Sequence, residues 1–285
     1  MLSLAGHTPL RRGVPSRERA GRLRSADETP PPDPLLVTPL EIVAIFGAGL
    51  AAGTINTIVG SGSLITFPTL LAFGFRPLDA NVSNTVGLVP GSASGAFGYR
   101  RELVGQRSRA INLGISSGAG GLTGAVLLLA FPGAFEAIVP VLIAVALILV
   151  ATGPRLSKAL SAHRHAESHR SWQLAVLFFA TSVYGGYFGA GMGIIMIALL
   201  TIFVPDDIQR LNGLKNVLAA LINGVAGLLF IAIAPVHCDV VLLIATGSII
   251  GGQVGSRVGR RLPAPVLRLA IICVGLLAEA RLLLG

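Results

Sequence analysis

Charge is scarce in this sequence. Only 12% of its 285 residues are Asp, Glu, Lys or Arg, about half the share (roughly 25%) of an ordinary soluble domain. Acids are scarcer than bases, 13 against 22, and aromatic residues make up 6%. There are two cysteines, Cys238 and Cys273. They lie far apart, form no C-x-x-C pair and exclude a disulfide framework; small apolar packing residues are expected there instead. No G-x-x-x-x-G-K-[ST] motif is present, so the chain is not itself an ATP-driven pump. G-x-S-x-G and H-E-x-x-H are also missing. No nucleophile–base pair, no paired carboxylates within the apolar runs and no metal set emerge. The expectation is a non-enzyme without a cofactor. The net charge of +9 lacks the interleaved aromatic residues that stack bases, which argues against nucleic acid as a partner.

What is abundant is apolar sequence. Hydrophobic residues make up 53% and mean hydropathy is +0.77. The charges cluster and leave apolar runs at roughly 37–58, 62–75, 79–98, 109–131, 134–152, 171–187, 189–204, 207–233, 239–256 and 264–283. Several reach the ~18 residues or more that cross a bilayer, so an all-α polytopic membrane protein is expected. Run 62–75 is too short to span comfortably at about 1.5 Å per residue. The count is about eight or nine transmembrane helices: nine full spans, or eight and a re-entrant piece.

The bases mark one face. Arg100, Arg101, Arg107 and Arg109 sit between apolar runs, as do Arg155, Lys158, Arg164 and Arg170, and again Arg257, Arg260 and Arg261. Basic loops between spans face the cytoplasm. Residues 1–36 carry six arginines and end near "TPPPDP"; they are expected to form a disordered basic tail, without the apolar core of a signal peptide. The parity of the first three runs, and with it the side of the first one, stays open.

The rest divides into a first repeat (37–131), a linking helix and cytoplasmic loop (132–170) and a second repeat (171–285). "GTINTIVGSGSLITFP" in the first is similar to "VYGGYFGAGMGIIMIAL" in the second. Each leads through Gly into G-x-G and then an apolar stretch. Polar turns follow, "FRPLDANVSN" and "VPDDIQRLNGLKN", and then small-residue helices. Four runs, one linking run and four more place the second copy upside down. Inverted repeats with broken helices are a transporter architecture, with the site near the midplane between them.

Several motifs resolve into packing. "IVAIFGAGLAAG" imitates a dinucleotide fingerprint but lacks the acidic residue ~20 positions on. Gly247, Gly251, Gly255 and Gly259 line one helix face as a seam. "HRHAESH", with His163, His165 and His169, reads as a solvated loop. Asp206-Asp207 ends one run and caps the next.

The breaks carry more. Gly60-Ser61-Gly62 and Gly189-Ala190-Gly191 occupy matching places. Amides freed at a helix N-terminus bind anions, aided by the dipole, and Ser61 and Ser63 add hydroxyls. Lys215 lies inside run 207–233, where a charge costs about 2.5–3.5 kcal/mol on insertion scales. It either lines a cavity or snorkels to the headgroups. At about 100° per residue it shares a face with Asn212, Asn216 and Asn223. Asn56, Asn81, Asn84 and Thr85 supply a matching face from the first repeat.

These residues resemble the sulfite exporter TauE/SafE family. The likeness rests on Gly60 to Gly62, Pro68, the turn from Gly74 to Ala80, Asn84-Thr85 and Tyr99-Arg100, and more loosely on Tyr184 to Gly227. It covers about residues 38–284. It implies a secondary transporter for sulfite, thiosulfate or organosulfonates in a bacterial inner membrane. Ser61 and Ser63 stand where many members carry Gly, and Lys215-Asn216 where a Thr-Ser-like pair is common. The expected substrate-binding set is Asn56, Gly60, Ser61, Gly62, Ser63, Asn84, Thr85, Gly189, Gly191, Lys215 and Asn216. The expected partners are the lipid bilayer and a small anion, with a homo-oligomer left open. The competing reading is a membrane scaffold or assembly subunit, with packed halves and no polar cavity.

Overall fold

The computed structural model describes residues 38–161, 171–258, 269, 271–276 and 280; the basic tail, the three loop histidines and Gly259 lie outside them. Nine helices between residues 39 and 258 are α1 (Pro39–Ile58), α2 (Ser63–Ala72), α3 (Pro77–Gly98), α4 (Arg107–Ala130), α5 (Pro132–Ser161), α6 (Ser171–Tyr187), α7 (Met192–Phe203), α8 (Ile208–Ile233) and α9 (Cys238–Val258). Of the final run, 269, 271–276 and 280 are helical. Among the described residues, α1, α4, α8, α9 and the Pro132–Gly153 part of α5 are long and apolar enough to cross a membrane. The chain is a multi-pass membrane protein.

Two polar stretches expected as turns are mostly helix. Pro77 sits in the first turn of α3, where its missing N–H has no intrahelical partner to lose. The chain therefore turns only over 73–76, around Gly74 with φ 85°. In the second repeat the Asp207 carboxylate accepts the Gln209 amide at 2.8 Å and starts α8, as the sequence anticipated.

The helix pattern repeats. α3 and α8 begin at residues 77 and 208, and α4 and α9 at 107 and 238, the same separation of 131. α1 and α6 end at 58 and 187, and α2 and α7 begin at 63 and 192, a separation of 129. Under this exchange the extensive packing of α1 on α9 becomes that of α6 on α4. The copies are also inverted. A Cβ at Gly213 would lie 3.2 Å from Tyr99 Cβ, one at Gly224 4.0 Å from Val89 and one at Gly227 3.6 Å from Val86 Cα. Residue numbers rise on α8 as they fall on α3, so these equivalent helices run antiparallel.

The same register settles the parity. Gly49 and Gly87 both meet Ile244, and Gly53 and Gly91 both meet Ser248, so α1 and α3 each run parallel to α9. The chain runs toward the basic face in α1, back in α2 and toward it again in α3. α2, ten residues long or about 15 Å, makes this return together with the non-helical stretches 59–62 and 73–76 on either side of it.

Glycine makes the approach possible. A Cβ at Gly247, Gly251 or Gly255 would lie 2.4, 2.1 or 2.7 Å from a backbone oxygen of α1. The nucleotide look-alike in α1 is the other side of this seam: Gly49 and Gly53 admit Ile244 and Ser248. Cys238 and Cys273 depart from expectation; both are free and exposed, on surfaces where lipid or water meets the fold.

Candidate functional site

Each repeat interrupts its first helix with the same hydrogen bonds. At the end of α1 the amides of Val59 and Gly60 both donate to Ile55 O, at 2.7 and 3.1 Å; at the end of α6 those of Phe188 and Gly189 both donate to Tyr184 O, at 2.9 and 3.0 Å. Gly60 (φ 84°) and Gly189 (φ 78°) are left-handed, a conformation that favours Gly. The G-x-G match expected from sequence is therefore a structural equivalence, although Gly62 is right-handed at φ −59° and Gly191 left-handed at φ 77°.

The breaks touch. The Gly193 amide donates to Gly60 O at 3.0 Å, and a Cβ on Gly60 would lie 2.4 Å from Gly193 Cα. Gly193, not Gly189, is thus the glycine of the second repeat that meets Gly60. The extra Gly in "GAGMG" was its visible sign.

Each broken helix is capped by the other repeat. The Lys215 ammonium on α8 donates to Asn56 O and Thr57 O, both at 3.1 Å. Asn216 Nδ2 donates to Thr57 O at 3.1 Å. In the opposite sense, Asn81 on α3 donates through Nδ2 to Tyr187 O at 3.0 Å. Tyr184 donates from its hydroxyl to Ala190 O within the second break. The Asn56, Thr57 and Tyr187 carbonyls are helix C-terminal groups with no continuing helix to accept from. Lys215 also meets the negative end of the α1 dipole, equivalent to roughly half a charge. Lys215 is 1% exposed: it does not snorkel.

The two half-sites lie toward opposite faces. Thr57 packs on Gly95 and Gly255, one turn before the ends of α3 and α9, so the first break lies toward the basic face. Asn81 lies in the second turn of α3, so the second break lies toward the other. The two breaks join between the repeats at Gly60 and Gly193.

The structure brings Asn56, Gly60, Ser61, Gly62, Lys215 and Asn216 together around the first break. Asn56 also donates to Ser92 Oγ at 3.0 Å, and Ser63, half-buried, opens α2. Gly189 and Gly191 frame the second break. Asn84 accepts the Thr66 hydroxyl and occupies on α3 the place that Lys215 occupies on α8. Thr85, buried beside it, matches Asn216. Asn212 leaves the expected polar stripe to donate to Tyr99 Oη at 3.3 Å. Ser61 Oγ, Asn81 Oδ1, Asn84 Nδ2 and Asn216 Oδ1 are buried without a hydrogen-bond partner. Such atoms cost roughly 1–3 kcal/mol each when unsatisfied. Four of them cluster at the two breaks. Among the described residues no group of three or more His, Cys, Asp or Glu could hold a metal.

A family model described as "Sulfite exporter TauE/SafE" matches residues 45–282. The chain is 27% identical over 241 residues to the Probable membrane transporter protein ORF9 of Sinorhizobium sp, covering 84% of this chain and 91% of that protein. It is 25% identical over 256 residues to the Probable membrane transporter protein YfcA of Escherichia coli, covering 87% and 91%. A Probable membrane transporter protein of Haemophilus influenzae is 25% identical over 258 residues, covering 85% and 95%.

Proposed function

The chain belongs to the sulfite exporter TauE/SafE family, and from that premise we propose that it is a secondary transporter of small sulfur-containing anions, namely sulfite, thiosulfate or organosulfonates, in a bacterial inner membrane. The observation that carries this reading is Lys215. It is a buried cation bonded only to neutral carbonyls and to no carboxylate among the described residues. An ammonium has three donors, and two are used. Burying a charge is costly unless it is paired. A small oxyanion supplies both the missing charge and the missing acceptor.

The surroundings suit that ligand. Ser61 Oγ is an unused hydroxyl beside the α1 end. The N-terminus of α2 begins two residues later and adds the positive end of its dipole. Three or four donors around a compact oxyanion recognise charge and size. Asn84 Nδ2 offers a neutral donor at the equivalent second site. Asn56, Gly62, Ser63 and Asn216 hold the first half-site in shape. Gly189, Gly191 and Thr85 do the same for the second.

The test is counterflow of labelled sulfite, thiosulfate and a small organosulfonate in proteoliposomes, with chloride and phosphate as comparators. Saturable flux of one sulfur anion, lost in Lys215→Met, supports the reading. Absence of flux for every sulfur anion returns the chain to the scaffold reading.

A further inference from the structure

Between Lys215 and the basic face lies one closed seam. It joins the turn over 99–106, which ends α3 in the first repeat, to the first two turns of α8 in the second. Asp206 accepts from both repeats: Arg109 Nη1 at 3.1 Å and Arg210 Nε at 2.7 Å. Arg210 Nη2 donates to Val104 O at 3.0 Å. Gln106, 2% exposed, donates through Nε2 to Arg210 O at 3.0 Å. Tyr99, 1% exposed, takes the Asn212 amide.

The opposite face has an equivalent seam at the same positions. Under the repeat exchange, Gln106 becomes His237, Asp206 becomes Phe75 and Arg210 becomes Asp79. His237 and Phe75 also meet, while Asp79 pairs with Arg76 at 2.9 Å. The His237 ring packs edge-on to Phe75, with centroids 5.0 Å apart. The His237 amide donates to Ser83 Oγ at 3.2 Å. The same loop-to-helix contact thus closes both ends of the repeat interface. At the basic face an ion pair, Arg109–Asp206, crosses between the repeats; at the other face the ion pair Arg76–Asp79 lies within the first repeat, and His237 crosses by its ring contact with Phe75 and its amide bond to Ser83.

We propose that the Asp206–Arg109–Arg210 cluster is the inner gate of the Lys215 site: it must part for the first break to open toward the basic face, and its counterpart at His237 and Phe75 is the outer gate. Asp206 sets this access because it bonds a guanidinium from each repeat. Losing its charge leaves Arg109 with a long contact to Gln106 Oε1 at 3.5 Å, and the seam with the Arg210 bond to Val104 O and the Gln106 bond to Arg210 O. The proposal rests on the transporter reading, but access is measurable without knowing the cargo.

The experiment uses the full chain with Cys238→Ser and Cys273→Ser, and Ser61→Cys as reporter. Inside-out and right-side-out vesicles are exposed to a membrane-impermeant methanethiosulfonate. With Asp206 intact, labelling from the basic face is expected to be slow. Asp206→Asn is expected to raise that rate at least tenfold and leave labelling from the other face unchanged or slower. Asp206→Glu restores the slow rate. Arg109→Gln removes a single arm and is expected to give a smaller rise, about threefold, which serves if Asp206→Asn does not fold. A rate from the basic face that both variants leave unchanged overturns the gate. Increased labelling, together with no sulfur-anion flux through the chain that retains Ser61, keeps the gate and removes the proposed cargo.

Discussion

The Gly193 amide donates to Gly60 O at 3.0 Å, so the interrupted helix of one repeat is hydrogen-bonded to that of the other. A side chain on either glycine would enter the other backbone at 2.4 Å. Gly60→Ala also forces Ala into the left-handed region, roughly 1–2 kcal/mol by itself, and overpacking adds about 1–3 kcal/mol. Gly74 has the same kind of φ, 85°, but open space around it. The expected order of lost thermal stability in detergent is therefore Gly60→Ala well above Gly74→Ala. Gly193→Ala should fall near Gly60→Ala, by overpacking without the φ term.

Lys215→Met leaves Asn56 O without its donor, while Thr57 O keeps Asn216. The expected cost is a modest loss of stability, of order 1–3 kcal/mol, with at least a tenfold loss of sulfur-anion flux. A thermal-shift series with the transported anion separates the effects. The wild-type protein should be stabilised by it and Lys215→Met should not. Equal shifts in both would assign Lys215 to capping alone.

Asn81→Ala removes the donor to Tyr187 O at the second break and should destabilise by about 1–3 kcal/mol. Anion-induced stabilisation at Lys215 should survive. Loss of that response would mean the two half-sites act as one, and detergent melting curves with and without anion decide it.

Burial opposes ionisation of Asp206, but the Asp207 amide and the Arg210 and Arg109 guanidiniums outweigh it and hold the carboxyl below its ordinary value. A depressed folded-state value means the stabilisation is fully present above the usual aspartate range, near 4, and is lost as pH falls through the still lower folded value. Stability from this cluster should be flat from pH 8 to 5 and decline only in stronger acid. Asp206→Asn should remove the acid-side decline attributable to it. Because Arg109 and Arg210 are over a third exposed at their side chains, high salt should weaken the cluster.

Much of this arrangement was legible in the chain. Apolar run length marked the helices, and the paired G-x-G motifs marked the breaks, because only glycine reverses the backbone there cheaply. Lys215 stood out because a charge inside an apolar run needs a partner. Its partner did not, because the acceptors are main-chain carbonyls and every residue has one. The same holds for Asn81 and Tyr187. The Gly60–Gly193 contact depends on how two helices cross, and nothing local encodes that. Run 62–75 left the topology ambiguous because a helix of that length falls short of a full bilayer, whereas the non-helical stretches 59–62 and 73–76 add to the reach of α2. The polar turns were misjudged for a related reason: asparagines and serines beside Pro77 and Asp207 are held as helix by partners across the repeat interface.

The repeats exchange nearly every element but not the one at Lys215, which faces Asn84 across the symmetry. Two equivalent half-sites with Lys215 in one and Asn84 in the other are electrostatically lopsided. The two legs of a transport cycle then face different barriers, and loading and unloading proceed at different speeds at the two mouths. Such a bias shapes kinetics alone. Net movement still follows the electrochemical gradients, so the lopsidedness would show as unequal half-saturation on the two sides of the bilayer.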